Sequence, residues 1–322
     1  MGKKLITLHL AVIEVTSICN LHCKHCYGFF NKKEIISIND FTNICSQLKG
    51  VGVSMITLSG GEPLILGPDI RAYINCAKKY FKEVNITSNG TLIDSRNIHY
   101  LKTATLVQIS IDGPSEIHDS IRGSGVYNKA ISAIELLKEH GIRCSLMMTV
   151  SDFNSPYVKE MHSMATKLGV PLGFERITNV GRGKKYATLS RTNFASLIKL
   201  ARKYSLDSTD PIMTVADRGK RKYLCDNMVM AGCMAGNMAI AVDAGLNILP
   251  CVRLRIKLGN LRKNSLEKIL IDSEIVHNLQ DRDKLLGKCQ ECNYRYICGG
   301  CRAAAFANNN NFLSEDPGCF IK

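Results

Sequence analysis

Six times between residue 8 and about residue 205, a short apolar run rich in β-branched residues gives way to a segment of helical period. Runs at 8–15, 54–58, 83–87, 106–111, 143–150 and 172–177 read as strands. Segments at 40–48, 68–80, 94–102, 126–140, 156–168 and 191–204 read as helices. In the first of these, Phe41, Ile44, Cys45 and Leu48 fall at i, i+3, i+4 and i+7; Asn39 or Asp40 stands at the cap, and Gly50 lies beyond the end. Strands joined through helices lie parallel, since a crossover is needed to return to the same end of the sheet. The chain is therefore α/β, with a sheet either open or curled into a partial barrel. In both cases the functional groups belong at the carboxyl ends of the strands.

After about Asp207 the alternation stops. Eight of the fourteen cysteines fall between residues 225 and 319, interleaved with turn residues such as Gly232, Gly236, Gly245, Gly259, Gly299 and Gly300. A segment this poor in periodicity needs metal to fold. In a short secreted chain so many cysteines would indicate a disulfide framework, but 322 residues that are 45% hydrophobic can bury a core without one. The apolar stretch 5–13 imitates a signal peptide, yet no small-residue cleavage site follows it, and Ile6 rules out a myristoylation motif. No apolar run reaches the length that spans a bilayer. A cytosolic location is expected, where clustered thiols mean metal or redox chemistry. The formal charge of +14 invites an anionic partner, but the basic residues are spread, as at Lys78-Lys79, Lys184-Lys185 and 218–222, which reads as a solvated surface rather than a nucleic-acid footprint.

Cys19-x3-Cys23-x2-Cys26 follows the first predicted strand. Three thiolates on one loop can hold three irons of a cubane and leave the fourth open, as catalytic metal centres do. Zinc is an alternative, with His22 or His25 adjacent but poorly placed as a fourth ligand. A thioredoxin-like reading of Cys23-Lys-His-Cys26 gives Cys19 nothing to do.

With Tyr27 after the third cysteine, this motif resembles the signature of the radical S-adenosylmethionine superfamily, and the resemblance extends over nearly the whole chain. It implies a partial (β/α)6 TIM-like barrel over 1–207, followed by a small cysteine-rich, cluster-stabilised C-terminal domain over 208–322. Cys19, Cys23 and Cys26 would be the catalytic cluster's ligands. Gly60-Gly61-Glu62-Pro63, at the second strand's end, resembles the segment that binds the methionine amino group; two glycines let backbone come close and present carbonyls to an ammonium. Thr87, Ser88 and Asn89, before Gly90, offer groups suited to a ribose, as do Ser110 and Asp112. Arg122 resembles the arginine that pairs with the cofactor's carboxylate. Taken singly, Thr87–Gly90 also reads as a helix cap and Arg122 as a surface ion pair.

Cys289-x2-Cys292-x5-Cys298-x2-Cys301, followed by Cys319, reads as a zinc ribbon or as iron–sulfur ligation. Joined to Cys233 and Cys251 it resembles the SPASM extension, which implies two auxiliary 4Fe–4S clusters and three in all. Cys233, Cys251 and Cys301 would hold the nearer, with Cys225 as the candidate fourth ligand, and Cys289, Cys292, Cys298 and Cys319 the farther. Cluster thiolates would also remove about five units of the formal positive charge. Three departures stand out: Gly245 lies one residue farther before Cys251 than is usual, Cys298 and Cys301 are spaced x2 rather than x3, and Val252 stands where sulfatase maturases carry aspartate. Cys45, Cys76 and Cys144 read as small buried hydrophobes.

The resemblance implies reductive cleavage of S-adenosylmethionine to a 5′-deoxyadenosyl radical. The leading expectation is oxidative modification of a peptide or protein side chain. With about 18 residues before Cys19, no fused peptide-recognition domain is expected, so a separate adaptor or direct docking would be needed. A flavodoxin- or ferredoxin-type electron donor is implied. The alternative is a tetrapyrrole side chain in haem or haem d1 formation. A third reading, from another class, is a zinc or cluster protein without catalysis.

Overall fold

The computed structural model describes residues 8–28, 33–186, 189–216 and 232–321. At its centre lie the parallel strands β1 Leu10–Thr16, β2 Met55–Gly60, β3 Glu83–Ser88, β4 Leu106–Ser110, β5 Cys144–Val150 and β6 Leu172–Arg176. They pair in chain order from β1 to β6, as the βα repeat requires, and curl into a partial barrel. Helices α1 Ile38–Gly50, α2 Ile70–Lys78, α3 Ser115–Arg122, α4 Val126–Glu139, α5 Val158–Leu168 and α6 Arg191–Tyr204 connect or follow them. Ser37 caps α1 and Ser190 caps α6, each hydroxyl accepting a backbone N–H of the first turn. Strand alternation sorts the side chains. On β3, Val84 and Ile86 are buried in the core under the helices, while Asn85 and Thr87 take the opposite, inner face.

Two expectations change here. The helix expected over 94–102 is a single 3-10 turn, Ile98–Leu101. Asp94 Oδ1 accepts the Arg96 N–H at 2.9 Å, and Asn97 bonds both the Asp94 N–H and the Leu92 carbonyl. These short polar side chains outcompete a helical ladder. Conversely, α3 is a helix that eight residues after a tight loop were too few to announce.

Beyond 207 the chain is more regular than its periodicity indicates. After the short α7 Pro211–Ala216, β7 Ala239–Val242 pairs parallel with β1, setting Ala239 opposite Leu10. Then β8 Asn247–Leu249 and β9 Gly259–Asn260 add antiparallel, giving a continuous sheet of nine strands among the described residues. Strands of four, three and two residues lie below what periodicity can register. Short helices α8 Leu266–Asp272, α9 Glu274–Gln280, α10 Lys288–Glu291 and α11 Arg302–Asn309 complete the segment. A division into 1–207 and 208–322 therefore remains a proposal, since the sheet runs across it. No described helix is long and apolar enough to cross a membrane.

Candidate functional site

The loop carrying Cys19, Cys23 and Cys26 leaves the carboxyl end of β1 without regular structure and is held from several sides. From β2, the Gly61 and Glu62 N–H groups donate to Thr16 and Ile18 carbonyls, both at 2.8 Å. From beyond β3, Asn89 Nδ2 donates to Asn20 Oδ1 at 2.9 Å, and Asn20 donates in turn to Thr91. The Lys24 N–H reaches the last turn of α3 at the Ile121 carbonyl. From the turn after β6, the Arg182 N–H and Nε donate to the carbonyls of Cys26 and Cys23 at 2.9 and 2.8 Å. Such contacts need backbone to approach backbone. A Cβ on Gly61 would lie 2.0 Å from the Ile18 oxygen, and one on Gly181 would lie 2.4 Å from the Cys26 oxygen. The glycine pair thus serves first to admit the cysteine loop.

Asp112 and its neighbours form the electrostatic centre. Its Oδ2 accepts from Arg122 Nε at 2.5 Å and lies 2.7 Å from His25 Nε2, while Oδ1 accepts the Thr149 N–H at 2.9 Å. The side chain is fully enclosed, and Arg122 together with the His25 hydrogen bond holds its carboxyl far below the usual range despite burial. His118 accepts the Asp112 N–H through Nδ1, and burial lowers its pKa to about 4, so the ring is neutral. Asp112, expected among the cofactor-binding residues, anchors Arg122 and His25. Glu62 is buried and accepts from the Leu64 N–H, the Ser88 hydroxyl and the Asn89 N–H. The Ser88 hydroxyl also accepts the Gly90 N–H. Both are spent in tying the β2 and β3 ends together. Asn89 reaches the cysteine loop through Asn20. Thr87 and Ser110 stand on the inner face at the ends of β3 and β4.

Tyr27 is half-buried, with its hydroxyl on Ser59 and close to Glu14. Glu14, 1% exposed on the inner face of β1, receives both terminal nitrogens of Arg255 at 2.8 and 3.0 Å. Arg253 Nη1 lies 3.7 Å from Glu175 of β6 and donates to the Arg176 carbonyl at 3.2 Å. The segment following Cys251 therefore bridges β1 and β6, the two ends of the six-stranded barrel. Nothing in the sequence pairs these residues, which lie up to 241 positions apart.

The cysteines fall into groups. Cys19 feels the charge of Cys23 and Cys26; Cys319 that of Cys289 and Cys292; Cys298 that of Cys319; Cys301 that of Cys233. Arg253 feels both Cys251 and Cys301. Cys225 lies outside the described residues. Cys45 and Cys144 are buried, and Cys76, half-buried, shares a hydrogen bond with Thr42. No disulfide joins the described cysteines.

The donor set fits iron–sulfur centres. Backbone N–H groups two residues on donate to the sulfurs of Cys19, Cys26, Cys292 and Cys298, each at 3.4 Å. Burial pushes the Cys19 and Cys301 thiols up to about 11, so they ionise only against a bound cation. A cubane takes one thiolate per iron, which suits cysteines grouped in this way.

A family model described as the radical SAM superfamily matches residues 13–165, and one described as an iron–sulfur cluster-binding domain matches 233–293. The chain is 26% identical to an AdoMet-dependent heme synthase of Methanosarcina barkeri, covering 96% of this chain and 95% of the relative. It is 29% identical to the subtilosin biosynthesis protein AlbA of Bacillus subtilis, covering 93% and 68%. Among solved structures, SuiB of Streptococcus suis bound to S-adenosylmethionine superposes with a TM-score of 0.79 at 18% identity, covering 98% of this chain and 78% of that one.

Proposed function

We propose, from the premise that this chain is a radical S-adenosylmethionine enzyme with a C-terminal SPASM iron–sulfur domain, that it oxidatively modifies a side chain of a peptide or protein. The observation that carries the reading is the cysteine loop clasped at the carboxyl ends of the barrel strands, with Arg122 within electrostatic reach of Cys23 and Cys26. When bound, the first cluster and S-adenosylmethionine supply an electron and a carbon radical that takes hydrogen from substrate.

The chain's own part is to hold, aim and exclude. Cys19, Cys23 and Cys26 would hold the first cluster. Arg122, aimed by Asp112, is placed to meet a carboxylate with the nitrogens Asp112 leaves over. Thr87 and Ser110 present hydroxyls to a ribose, and Tyr27 walls the site. Glu62, Ser88 and Asn89 keep the ligand-bearing loops in register, and Arg253 and Arg255 shut the barrel's open side against water. Cys233, Cys251 and Cys301, with Cys289, Cys292, Cys298 and Cys319, would hold two auxiliary clusters. A ferredoxin- or flavodoxin-type carrier would deliver electrons, and a separate adaptor would present the peptide.

Anaerobic reconstitution followed by mass spectrometry tests the chemistry. Wild type should release 5′-deoxyadenosine, and Cys23→Ala should release none. Candidate precursor peptides unchanged in mass would remove the peptide reading. A second reading, a tetrapyrrole side chain, is favoured by the match to the haem synthase, which covers nearly all of both chains where AlbA is covered for only 68%. Porphyrin carboxylates that neither bind nor change the cluster spectrum would remove it.

A further inference from the structure

Buried cations in this chain sort into two kinds. Arg122 is paired with Asp112, Arg255 with Glu14 and Arg253 with Glu175, and Arg176 lies between Asp210 and Asp316. Arg282 and Arg302 differ: among the described residues neither pairs with a carboxylate. Arg302 is 0% exposed and Arg282 is 7% exposed. Arg302 Nε donates to the Gly300 carbonyl at 3.2 Å, and Nη1 donates to those of Phe312 and Ser314, both at 2.7 Å. Its Nη2 donates to Cys289 Sγ at 3.7 Å. Arg282 Nη2 donates to the Cys233 carbonyl at 2.7 Å, and the side chain lies within electrostatic reach of Cys298, Cys289 and Arg302.

Carbonyls satisfy a guanidinium's hydrogen bonds but bring no net charge. Two like charges enclosed within reach of each other are therefore unstable unless an anion lies between or beside them. Among the described residues, the sulfurs of Cys233, Cys289 and Cys298 lie within reach of these arginines, and Asp316, near Arg302, is already paired with Arg176. A four-thiolate iron–sulfur centre carries about two net negative charges, matching the two arginines in number.

We infer that Arg282 and Arg302 are positioning residues for the iron–sulfur centre of Cys289, Cys292, Cys298 and Cys319. They serve as its counter-charges, and they raise its reduction potential above that of the centre held by Cys233, Cys251 and Cys301. This inference rests on the cysteine assignment proposed above. A nearby positive charge favours whichever oxidation state carries the extra electron. Around the Cys233 group Arg176 and Arg253 are offset by Asp210, Asp316 and Glu175, so that centre has only its share of Arg282, whereas the Cys289 centre has Arg302 as well. The energetic slope for an electron then runs from the Cys233 centre to the Cys289 centre, with Arg282 in contact with both groups.

The test uses the full chain, reconstituted anaerobically, in a Cys19→Ala, Cys23→Ala, Cys26→Ala background that leaves only the auxiliary centres. Potentiometric titration followed by electron paramagnetic resonance should give two midpoints, the higher one belonging to the Cys289 centre. Arg302→Met should lower that midpoint and move the other less, Arg282→Gln should lower both, and Arg302→Lys should restore most of the fall seen in Arg302→Met. Equal or reversed midpoints in the parent, or unmoved midpoints in variants of unchanged iron and sulfide content, would overturn the inference. Iron and sulfide for one auxiliary centre alone would overturn it together with the cysteine assignment, whereas two centres with unmoved midpoints leave that assignment standing. Should Arg302→Met fail to fold, Arg282→Gln and Arg302→Lys decide the matter.

Discussion

At Gly61 one added carbon would meet the Ile18 oxygen at 2.0 Å, and both partners are backbone, so neither can swing aside. Gly61→Ala should therefore push the cysteine loop off its seat. Iron bound per chain should fall by about one cluster's worth while the auxiliary centres remain, as read by iron analysis and electron paramagnetic resonance. Asp112 carries a pH signature. Its folded carboxyl sits well below the usual range through Arg122 and His25, and that of Asp316 is also lowered, by Arg176. A depressed carboxyl contributes stability that is full above its unfolded value of about 3.9 and is lost as pH falls toward the folded one. Urea midpoints followed by circular dichroism should drop steeply below about pH 4, and less steeply in Asp112→Asn, with cluster release monitored separately by visible absorbance. At this scale the sequence disclosed which residues gather but not what each one touches. Thr87 and Ser88 are neighbours with equivalent hydroxyls, yet strand alternation puts one on the inner face and the other on Glu62. The exact start of β3's pairing decides that, and composition cannot.

The segment 251–256 ties together the two ends of the six-stranded barrel. Arg255 of that segment reaches Glu14 on β1, and Arg253 reaches Glu175 on β6. Removing one member of the better enclosed pair leaves a buried charge without its counter-ion, which costs about 3 kcal/mol or more. Arg255→Met should thus destabilise more than the double variant with Glu14→Gln, and a double-mutant cycle in urea should show the coupling. The long elements were legible. The helix expected over 191–204 is α6 to the residue, and each of the six expected strands lies within two residues of an observed one. Period and β-branching determine such elements locally. The strap was hidden because its partners are distant in sequence, and β7 to β9 because strands so short take their form from the edge they join.

Across the whole molecule, the sheet makes the cysteine-rich segment a structural part of the barrel. A chain ending at residue 207 would leave β1 unpaired along one edge and Glu14 buried without Arg255. It should aggregate when expressed alone, as judged by size-exclusion chromatography, while the full chain elutes as a defined species. Chelation of iron should act in the opposite direction in space. With Arg282 and Arg302 deprived of counter-charge, limited proteolysis should cut first within 232–321 and leave the strands from β2 to β6 protected. The β1–β7 pairing also bears on synthesis. β1 leaves the ribosome more than two hundred residues before its outer neighbour β7. Between those two points the nascent barrel carries an open edge, so a slow codon stretch or a missing chaperone before residue 239 would harm yield more than the same delay after it.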